Sequence, residues 1–150
     1  MIPSEAKRAA KLKKLVVPSD LDGSVHMKTV LLVDDSRAVR IAASNIIEPL
    51  GFQILEAGDG QQALDVLREN PQVDVVLLDW NMPIMDGFEF LTALRADKEI
   101  SQPLVVMCTT ENEMSQIVKA MQAGADEYVM KPFTEEIISE KFEEVGLISR

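Results

Sequence analysis

Val75-Val76-Leu77-Leu78-Asp79 is the stretch of this 150-residue sequence that decides its fold. Four consecutive apolar residues closed by an acidic one predict a short strand buried on both faces, since a half-exposed strand would alternate apolar and polar residues. Segments of helical length separate this run from others of the same kind, which predicts a parallel, doubly wound α/β sheet. Three further runs also end in polar residues: residues 30–33 before Asp34 and Asp35, residues 104–108 before Thr109, and residues 128–130 before Lys131.

The composition is that of a globular chain with an acidic surface. At 47% hydrophobic residues, the chain can bury a core of one domain. Its net charge of −10 argues against nucleic acid as a partner, because phosphate would be repelled. No apolar run approaches the roughly 20 residues that cross a bilayer, and Cys108, the sole cysteine, allows no internal disulfide. We therefore expect a cytoplasmic protein without membrane insertion.

The regular alternation begins at residue 27 and divides the chain into two parts. Residues 1–26 carry five basic residues against three acidic ones, with a turn-rich stretch at 18–24, and we interpret them as a basic extension or linker. Residues 27–150 are predicted to form the domain, with a further strand at 52–57 and a fourth helix from about Asn112 to Ala123. Right-handed crossovers would then arrange five strands and five helices in three layers.

Polar residues that follow parallel strands meet at one edge of the sheet, where doubly wound folds bind their ligands. Asp34, Asp35 and Asp79 would lie within a few ångströms of one another if the strands before them are neighbours. Close carboxylates repel one another, and protonation or a hard divalent cation relieves that repulsion. An all-oxygen set of ligands favours Mg²⁺ or Mn²⁺ over zinc. The pattern therefore predicts a magnesium site at this edge.

The same edge offers a nucleophile for phosphoryl transfer. At the ordinary carboxyl pKa of about 3.9, Asp79 would be ionised at neutral pH and would need no general base. A cation would screen the approaching phosphoryl group, while Lys131 adds a positive charge and Thr109 a hydroxyl donor. Each residue taken singly has a structural interpretation, because aspartates at strand ends often cap helices. Their occurrence together at the ends of four strands favours a site at which Asp79 forms an aspartyl phosphate.

Residues 27–146 resemble the receiver domain of bacterial two-component response regulators. Trp80-Asn81, with Tyr128 three residues before the lysine, makes the chain most similar to the single-domain chemotaxis regulators of the CheY type. The resemblance implies a flavodoxin-like, CheY-like fold with the strand order 2-1-3-4-5. It is carried by five elements at the family's spacing: Val33-Asp34-Asp35-Ser36, residues 78–87 (LDWNMPIMDG), Thr109-Thr110-Glu111, Ala123-Gly124-Ala125 and Lys131-Pro132-Phe133.

The resemblance also implies which residues bind the metal and the phosphoryl group. Asp79 would be the phosphoacceptor. Asp35, Asp79 and the backbone carbonyl of Asn81 would bind Mg²⁺ directly, and Asp34 would assist, partly through water. Trp80, which directly follows the phosphoacceptor, is expected to be exposed beside the site.

Further roles follow from the same resemblance. Thr109 and Lys131 would hold the phosphoryl oxygens, and Tyr128 would be the switch that turns inward when Thr109 moves toward the phosphate. Asn81 and Glu111 would influence how long the phosphoryl group survives. The peptide bond between Lys131 and the following proline should be cis, which is an option that proline permits.

Few residues follow Phe142, so we expect no separate output domain and a signal that passes through the receiver's own surface. The interpretation is a single-domain response regulator, phosphorylated by a sensor histidine kinase or a histidine phosphotransfer protein. Its output partner would be a flagellar switch protein in chemotaxis, or another protein, bound at the face formed by helix 4, strand 5 and helix 5. Beyond self-catalysed phosphotransfer and dephosphorylation, we expect no enzymatic activity.

Two alternatives remain open on the sequence. A stand-alone receiver could serve as a phosphate sink or a phosphorelay shuttle without binding the motor. A magnesium-dependent phosphatase could use the same aspartyl-phosphate chemistry on small substrates. The phosphatase is disfavoured because the second acid/base aspartate of such enzymes would stand where this chain has Asn81.

Overall fold

The computed structural model describes residues 27–148, so the predicted basic extension at 1–26 lies outside the described residues. Across 27–148, five strands and five α-helices alternate, as the sequence predicted. Two short 3₁₀ segments accompany them, at Glu48–Leu50 after the first helix and at Glu111–Gln116 before the fourth. The elements are β1 Lys28–Val33, α1 Arg37–Ile47, β2 Phe52–Ala57, α2 Gly60–Glu69, β3 Val75–Asp79, α3 Gly87–Ala96, β4 Leu104–Thr109, α4 Ile117–Gln122, β5 Glu127–Met130 and α5 Glu135–Glu144.

The strands form one parallel sheet in the order β2-β1-β3-β4-β5, which confirms the predicted order. The register brings the carboxyl ends together, since Val33 at the end of β1 pairs with Leu78 of β3. Asp79 in turn pairs with Cys108, and Thr109 with Met130. The polar residues that close β1, β3, β4 and β5 therefore stand along one edge of the sheet.

Continuous apolar strands supply both faces of this sheet, because successive side chains point to opposite sides. Leu31 and Leu78 belong to the core layer that packs against α2 and α3, where Phe90 is fully buried. Leu32 and Leu77 belong to the opposite layer, which packs against α1 and α5. Each face is covered by helices, as the unbroken hydrophobic runs require.

The fourth helix differs from its prediction. Residues 111–116 form a 3₁₀ segment, and the α-helix occupies only Ile117–Gln122. The segment begins with a capping box of Thr110 and Glu113, in which the backbone N–H of Thr110 donates to Glu113 Oε1 at 3.1 Å. The backbone N–H of Glu113 donates to the carbonyl of Thr110 at 3.0 Å, an i to i+3 bond that tightens this turn. Local hydrogen bonding at Thr110 therefore replaces the first α-helical turn.

The loop between β3 and α3 folds back onto the end of β3. The backbone N–H of Gly87 donates to the carbonyl of Trp80 at 2.9 Å. A Cβ atom on Gly87 would lie 2.3 Å from the carbonyl oxygen of Asp79, so only glycine lets α3 begin at this point. The close approach fixes the backbone that follows the acidic residue at the end of β3.

Candidate functional site

Three carboxylates meet at the carboxyl ends of β1 and β3. One carboxylate oxygen each from Asp34, Asp35 and Asp79 lie within 4.8 Å of one another. Asp34 and Asp79 are buried, whereas Asp35 is exposed at the mouth of the cluster. The structure thus brings together the three acidic residues that the strand pattern placed at one edge.

Lys131 neutralises part of this negative charge. Its Nζ donates hydrogen bonds to Asp34 Oδ2 at 2.9 Å and to Asp79 Oδ1 at 2.8 Å. Burial alone would lower the pKa of Lys131, but the hydrogen bonds and charges of Asp79 and Asp34 outweigh it and hold that pKa above its ordinary value. The ammonium therefore stays charged at physiological pH. The peptide bond from Lys131 to Pro132 is cis, as the resemblance implied.

Asp79 does not have the ordinary pKa that its sequence context suggested. Burial raises the pKa of Asp79, the negative charges of Asp34 and Glu113 raise it further, and only Lys131 opposes them. The buried carboxylate is therefore less well solvated than a surface one, and each positive charge beside it favours its ionised form.

The free oxygens of the cluster fit a hard cation. Asp34 uses Oδ1 to accept a hydrogen bond from the backbone N–H of Ser36 at 2.9 Å and Oδ2 for Lys131. Among the described residues, Asp79 Oδ2 and the carboxylate of Asp35 accept no hydrogen bond. Two carboxylates with open oxygens suit Mg²⁺, which keeps several of its waters and needs few protein ligands. Mn²⁺ accepts the same oxygen ligands.

Thr109 closes β4 beside this cluster and is 2% exposed. Its hydroxyl lies 3.2 Å from the carbonyl oxygen of Thr110 and 3.4 Å from Glu113 Oε1. The backbone links it to the lysine, because the N–H of Lys131 donates to the carbonyl of Thr109 at 2.7 Å. A hydroxyl donor and an ammonium therefore stand on neighbouring strand ends, as the sequence predicted.

Glu113 is a site residue that the sequence reasoning missed. Its carboxylate accepts hydrogen bonds from the side-chain amide of Asn81 and, at 3.1 Å, from the backbone N–H of Thr110. The sequence carries a signal for it, since Thr110 followed three residues later by Glu113 is the capping-box pattern. Glu111, which the resemblance singled out, has a side chain outside the described part of the structure.

Arg40 also supports the site without a signal in the sequence. Its Nη1 donates to the backbone carbonyl of Asp34 at 2.5 Å, and its Nε pairs with Glu56 at 2.8 Å. The guanidinium therefore holds the turn that carries Asp34 and Asp35. Only the packing of α1 beside β2 brings these groups together.

Trp80 is buried, and the expectation that it would be exposed is wrong. The residue is 8% exposed, and its ring centroid lies 6.0 Å from that of Phe88. The loop that returns to the end of β3 at Gly87 carries Phe88 over the indole, which explains the burial. The indole still adjoins Asp79 in the chain, so we expect its fluorescence to respond to changes at the cluster.

Tyr128 lies half-buried on β5, next to the strand that ends at Thr109. It pairs with Met107 of β4, and the Nζ of Lys141 lies 5.2 Å from the centroid of its ring. The role of Tyr128 as a switch stays a prediction.

Exposed apolar side chains occur on the elements around this tyrosine. Seven large hydrophobic side chains are exposed in the described region, and four of them belong to α4, β5 and α5. Exposed apolar surface is a mark of sites where proteins bind. We name this set the output patch; its members are Val118, Met121, Met130 and Ile137.

Comparisons with known proteins agree with this geometry. The sequence model of the response regulator receiver domain matches residues 30–143. A Campylobacter jejuni chemotaxis protein CheY homolog is 39% identical over 117 residues, which span 77% of this chain and 90% of that protein. Chemotaxis protein CheY of Pseudomonas aeruginosa is 41% identical over 117 residues, spanning 77% of this chain and 94% of that protein.

Solved structures of CheY-type proteins share the fold of this chain. The structure of Vibrio cholerae chemotaxis protein CheY4 superposes with a TM-score of 0.73 at 32% identity, covering 80% of this chain and 99% of that one. In the part of the chain that the structure describes, no helix combines the length and apolar character needed to cross a membrane.

Proposed function

We propose that this chain, which belongs to the family of response regulator receiver domains and resembles its CheY-type members, accepts a phosphoryl group on Asp79. Phosphorylation signalling is general to this family. The observation that supports Asp79 in particular is its buried position in the acidic cluster, with Lys131 on one oxygen and no hydrogen bond to the other among residues 27–148.

The proposed reaction transfers a phosphoryl group from a histidine nitrogen to an aspartate oxygen. Asp79 Oδ2 attacks the phosphorus of a phosphohistidine on a sensor histidine kinase or a histidine phosphotransfer protein. The P–N bond breaks as the P–O bond forms, and the imidazole leaves with the electron pair and takes up a proton. Bound Mg²⁺, held by Asp35, Asp79 and the carbonyl of Asn81 with help from Asp34, would neutralise negative charge on the phosphoryl group.

Residues of the chain then hold the product. Lys131 already donates to Asp79, so its ammonium needs little movement to reach a phosphoryl oxygen on the same carboxylate. The hydroxyl of Thr109 supplies a second donor once it leaves its contacts at Thr110 and Glu113. Drawing Thr109 inward would open space for Tyr128, so that a local charge biases a two-state surface.

The output patch is the surface at which we propose that a partner binds. It lies on α4, β5 and α5, the elements that follow Thr109 and carry Tyr128. Relatives at about 40% identity are named as chemotaxis proteins, which supports a flagellar switch protein as the partner. We further propose that the chain catalyses no reaction on other substrates.

Chemical labelling tests the phosphoacceptor. Acetyl phosphate and Mg²⁺ should add one phosphoryl group to the wild-type chain, labile to base and to hydroxylamine. Asp79→Asn keeps the shape and removes the nucleophile, so it should not be labelled at the same rate. Equal labelling of the two proteins would show that the phosphoacceptor lies elsewhere.

Partner binding tests the output surface. Beryllofluoride, which takes the place of the phosphoryl group, should increase the affinity of the wild-type chain for a flagellar switch protein. Val118→Ser should reduce that binding at least about fivefold by removing apolar contact. Ile41→Ser, on α1 and 48% exposed against 66% for Val118, is the matched control and should bind normally. If beryllofluoride has no effect on wild-type binding, the chain serves as a phosphate sink or shuttle instead.

A further inference from the structure

Glu113 connects the two parts of the site that a phosphoryl group would contact. Its Oε2 accepts a hydrogen bond from the side-chain amide of Asn81, at the end of β3. Its Oε1 accepts from the backbone N–H of Thr110 at 3.1 Å and lies 3.4 Å from the hydroxyl of Thr109. One carboxylate therefore contacts side chains from both the β3 and the β4 ends of the cluster.

The hydroxyl of Thr109 cannot serve two acceptors at once. It carries a single proton, which in this structure points to the carbonyl of Thr110 or to Glu113. A phosphoryl oxygen on Asp79 needs the same proton. Any state in which Thr109 donates to the phosphoryl group is therefore a state in which Glu113 accepts no hydrogen bond from that hydroxyl.

Repulsion between negative charges also favours the departure of Glu113. The carboxylate of Glu113 lies close enough for its negative charge to raise the pKa of Asp79. A phosphoryl group brings more negative charge to the position of Asp79 and increases that repulsion. Competition for a donor and repulsion between anions both favour departure of Glu113 after phosphorylation.

We propose that Glu113 competes with the phosphoryl group for the donors of Thr109 and Asn81, and that phosphorylation displaces it. Displacement would free Glu113 from the capping box that begins the 3₁₀ segment Glu111–Gln116, the segment that leads directly into α4. Glu113 is then a positioning residue that carries the charge of the phosphoryl group to the start of the output surface. The inference rests on the proposed function, since it takes Asp79 as the phosphoacceptor.

A purely structural role for Glu113 is the rival explanation, and the chain offers a control for it. Glu89 occupies the same third position in the capping box of α3, where it and Asp86 exchange hydrogen bonds at 2.8 and 3.0 Å. In the described region its side chain accepts a hydrogen bond only from Asp86. Glu89→Gln therefore weakens a capping box without changing hydrogen bonds at the cluster. Glu113→Gln weakens a capping box and also changes hydrogen bonds at the cluster.

The experiment compares two affinities in wild type, Glu113→Gln and Glu89→Gln. The first is for Mg²⁺ alone, and the second is for beryllofluoride at saturating Mg²⁺, both followed by the fluorescence of Trp80. Removing a negative charge should weaken Mg²⁺ binding and strengthen beryllofluoride binding, each by roughly fivefold. Opposite changes for a cation and an anion are not expected from the loss of a helix cap.

The outcomes separate the two proposals. If wild type does not bind beryllofluoride, the assignment of Asp79 as phosphoacceptor fails. If wild type binds beryllofluoride and Glu113→Gln binds it with the wild-type affinity, the competition by Glu113 is overturned. It is also overturned if Glu89→Gln changes the two affinities as much as Glu113→Gln does. Should Glu113→Gln fail to fold, Glu113→Asp keeps the charge but shortens the reach by one methylene, and a smaller increase in beryllofluoride affinity is expected. An unchanged affinity in that variant would overturn the inference as well.

Discussion

Lys131 Nζ lies 2.8 Å from Asp79 Oδ1, so one oxygen of the proposed phosphoacceptor is held by an ammonium before any phosphoryl group arrives. The same ammonium lies 2.9 Å from Asp34. Lys131 therefore supplies positive charge that reduces the repulsion between the carboxylates of the cluster. A metal cation bound there would have the same effect.

Removing this charge should strengthen metal binding. In Lys131→Met the repulsion between the ammonium and a bound cation is lost, so we expect Mg²⁺ affinity to rise by about tenfold. Lys141→Met removes a lysine whose Nζ lies 3.5 Å from Glu127, and serves as the control. Titration with Mg²⁺ measures both, and equal midpoints for Lys131→Met and wild type would contradict the prediction.

Asp79→Asn should stabilise the metal-free protein at neutral pH. Because the folded state raises the pKa of Asp79, it favours the neutral carboxyl. The neutral carboxyl of Asp79 therefore stabilises the folded state. This stabilisation is complete below the unfolded pKa of about 3.9 and is lost as pH rises through the raised folded pKa. Asparagine is neutral throughout, so its advantage in melting temperature in EDTA should be present at pH 7 and shrink toward pH 4. A difference in melting temperature that does not depend on pH would show that the ionised carboxylate of Asp79 does not destabilise the folded state.

Asp35 offers an open ligand, and its loss should weaken Mg²⁺ binding. Mg²⁺ tolerates poor coordination badly, so Asp35→Asn should raise the dissociation constant by at least about tenfold. The sole tryptophan, Trp80, follows Asp79 directly, and its fluorescence should report the titration. Asp65→Asn removes an exposed carboxylate of α2 that contacts Arg68 at 3.4 Å, and should titrate like wild type. A wild-type midpoint for Asp35→Asn would place the ion elsewhere.

Gly87→Ala should destabilise the domain. The added Cβ would lie 2.3 Å from the carbonyl oxygen of Asp79, and its nearest neighbours are all backbone atoms, which leaves little room to relax. We expect a loss of about 2–3 kcal/mol in the free energy of unfolding. Gly58→Ala is the control, since its Cβ would meet only side-chain atoms at 3.5 Å or more. Urea unfolding measures both, and a Gly87→Ala variant as stable as Gly58→Ala would mean that the loop can shift.

The parallel sheet and the meeting of its polar strand ends could be predicted from the sequence. Buried strands such as Val75–Asp79 need an unbroken apolar run, and helices between them force parallel pairing. Once the strands are parallel, Asp34, Asp79, Thr109 and Lys131 must reach the same edge, whatever the details of the loops. The sequence by itself therefore determined that these four side chains share the site.

Tertiary structure alone decided how those side chains are paired. Lys131 bonds Asp34 across 97 residues, and Asn81 bonds Glu113 across 32, which no local pattern specifies. Trp80 is buried because a returning loop covers it, and the pKa of Asp79 is raised because neighbouring elements exclude water from it. Local propensity and periodicity depend on residues near in the chain, whereas burial, charge and hydrogen-bond partners depend on residues near in space.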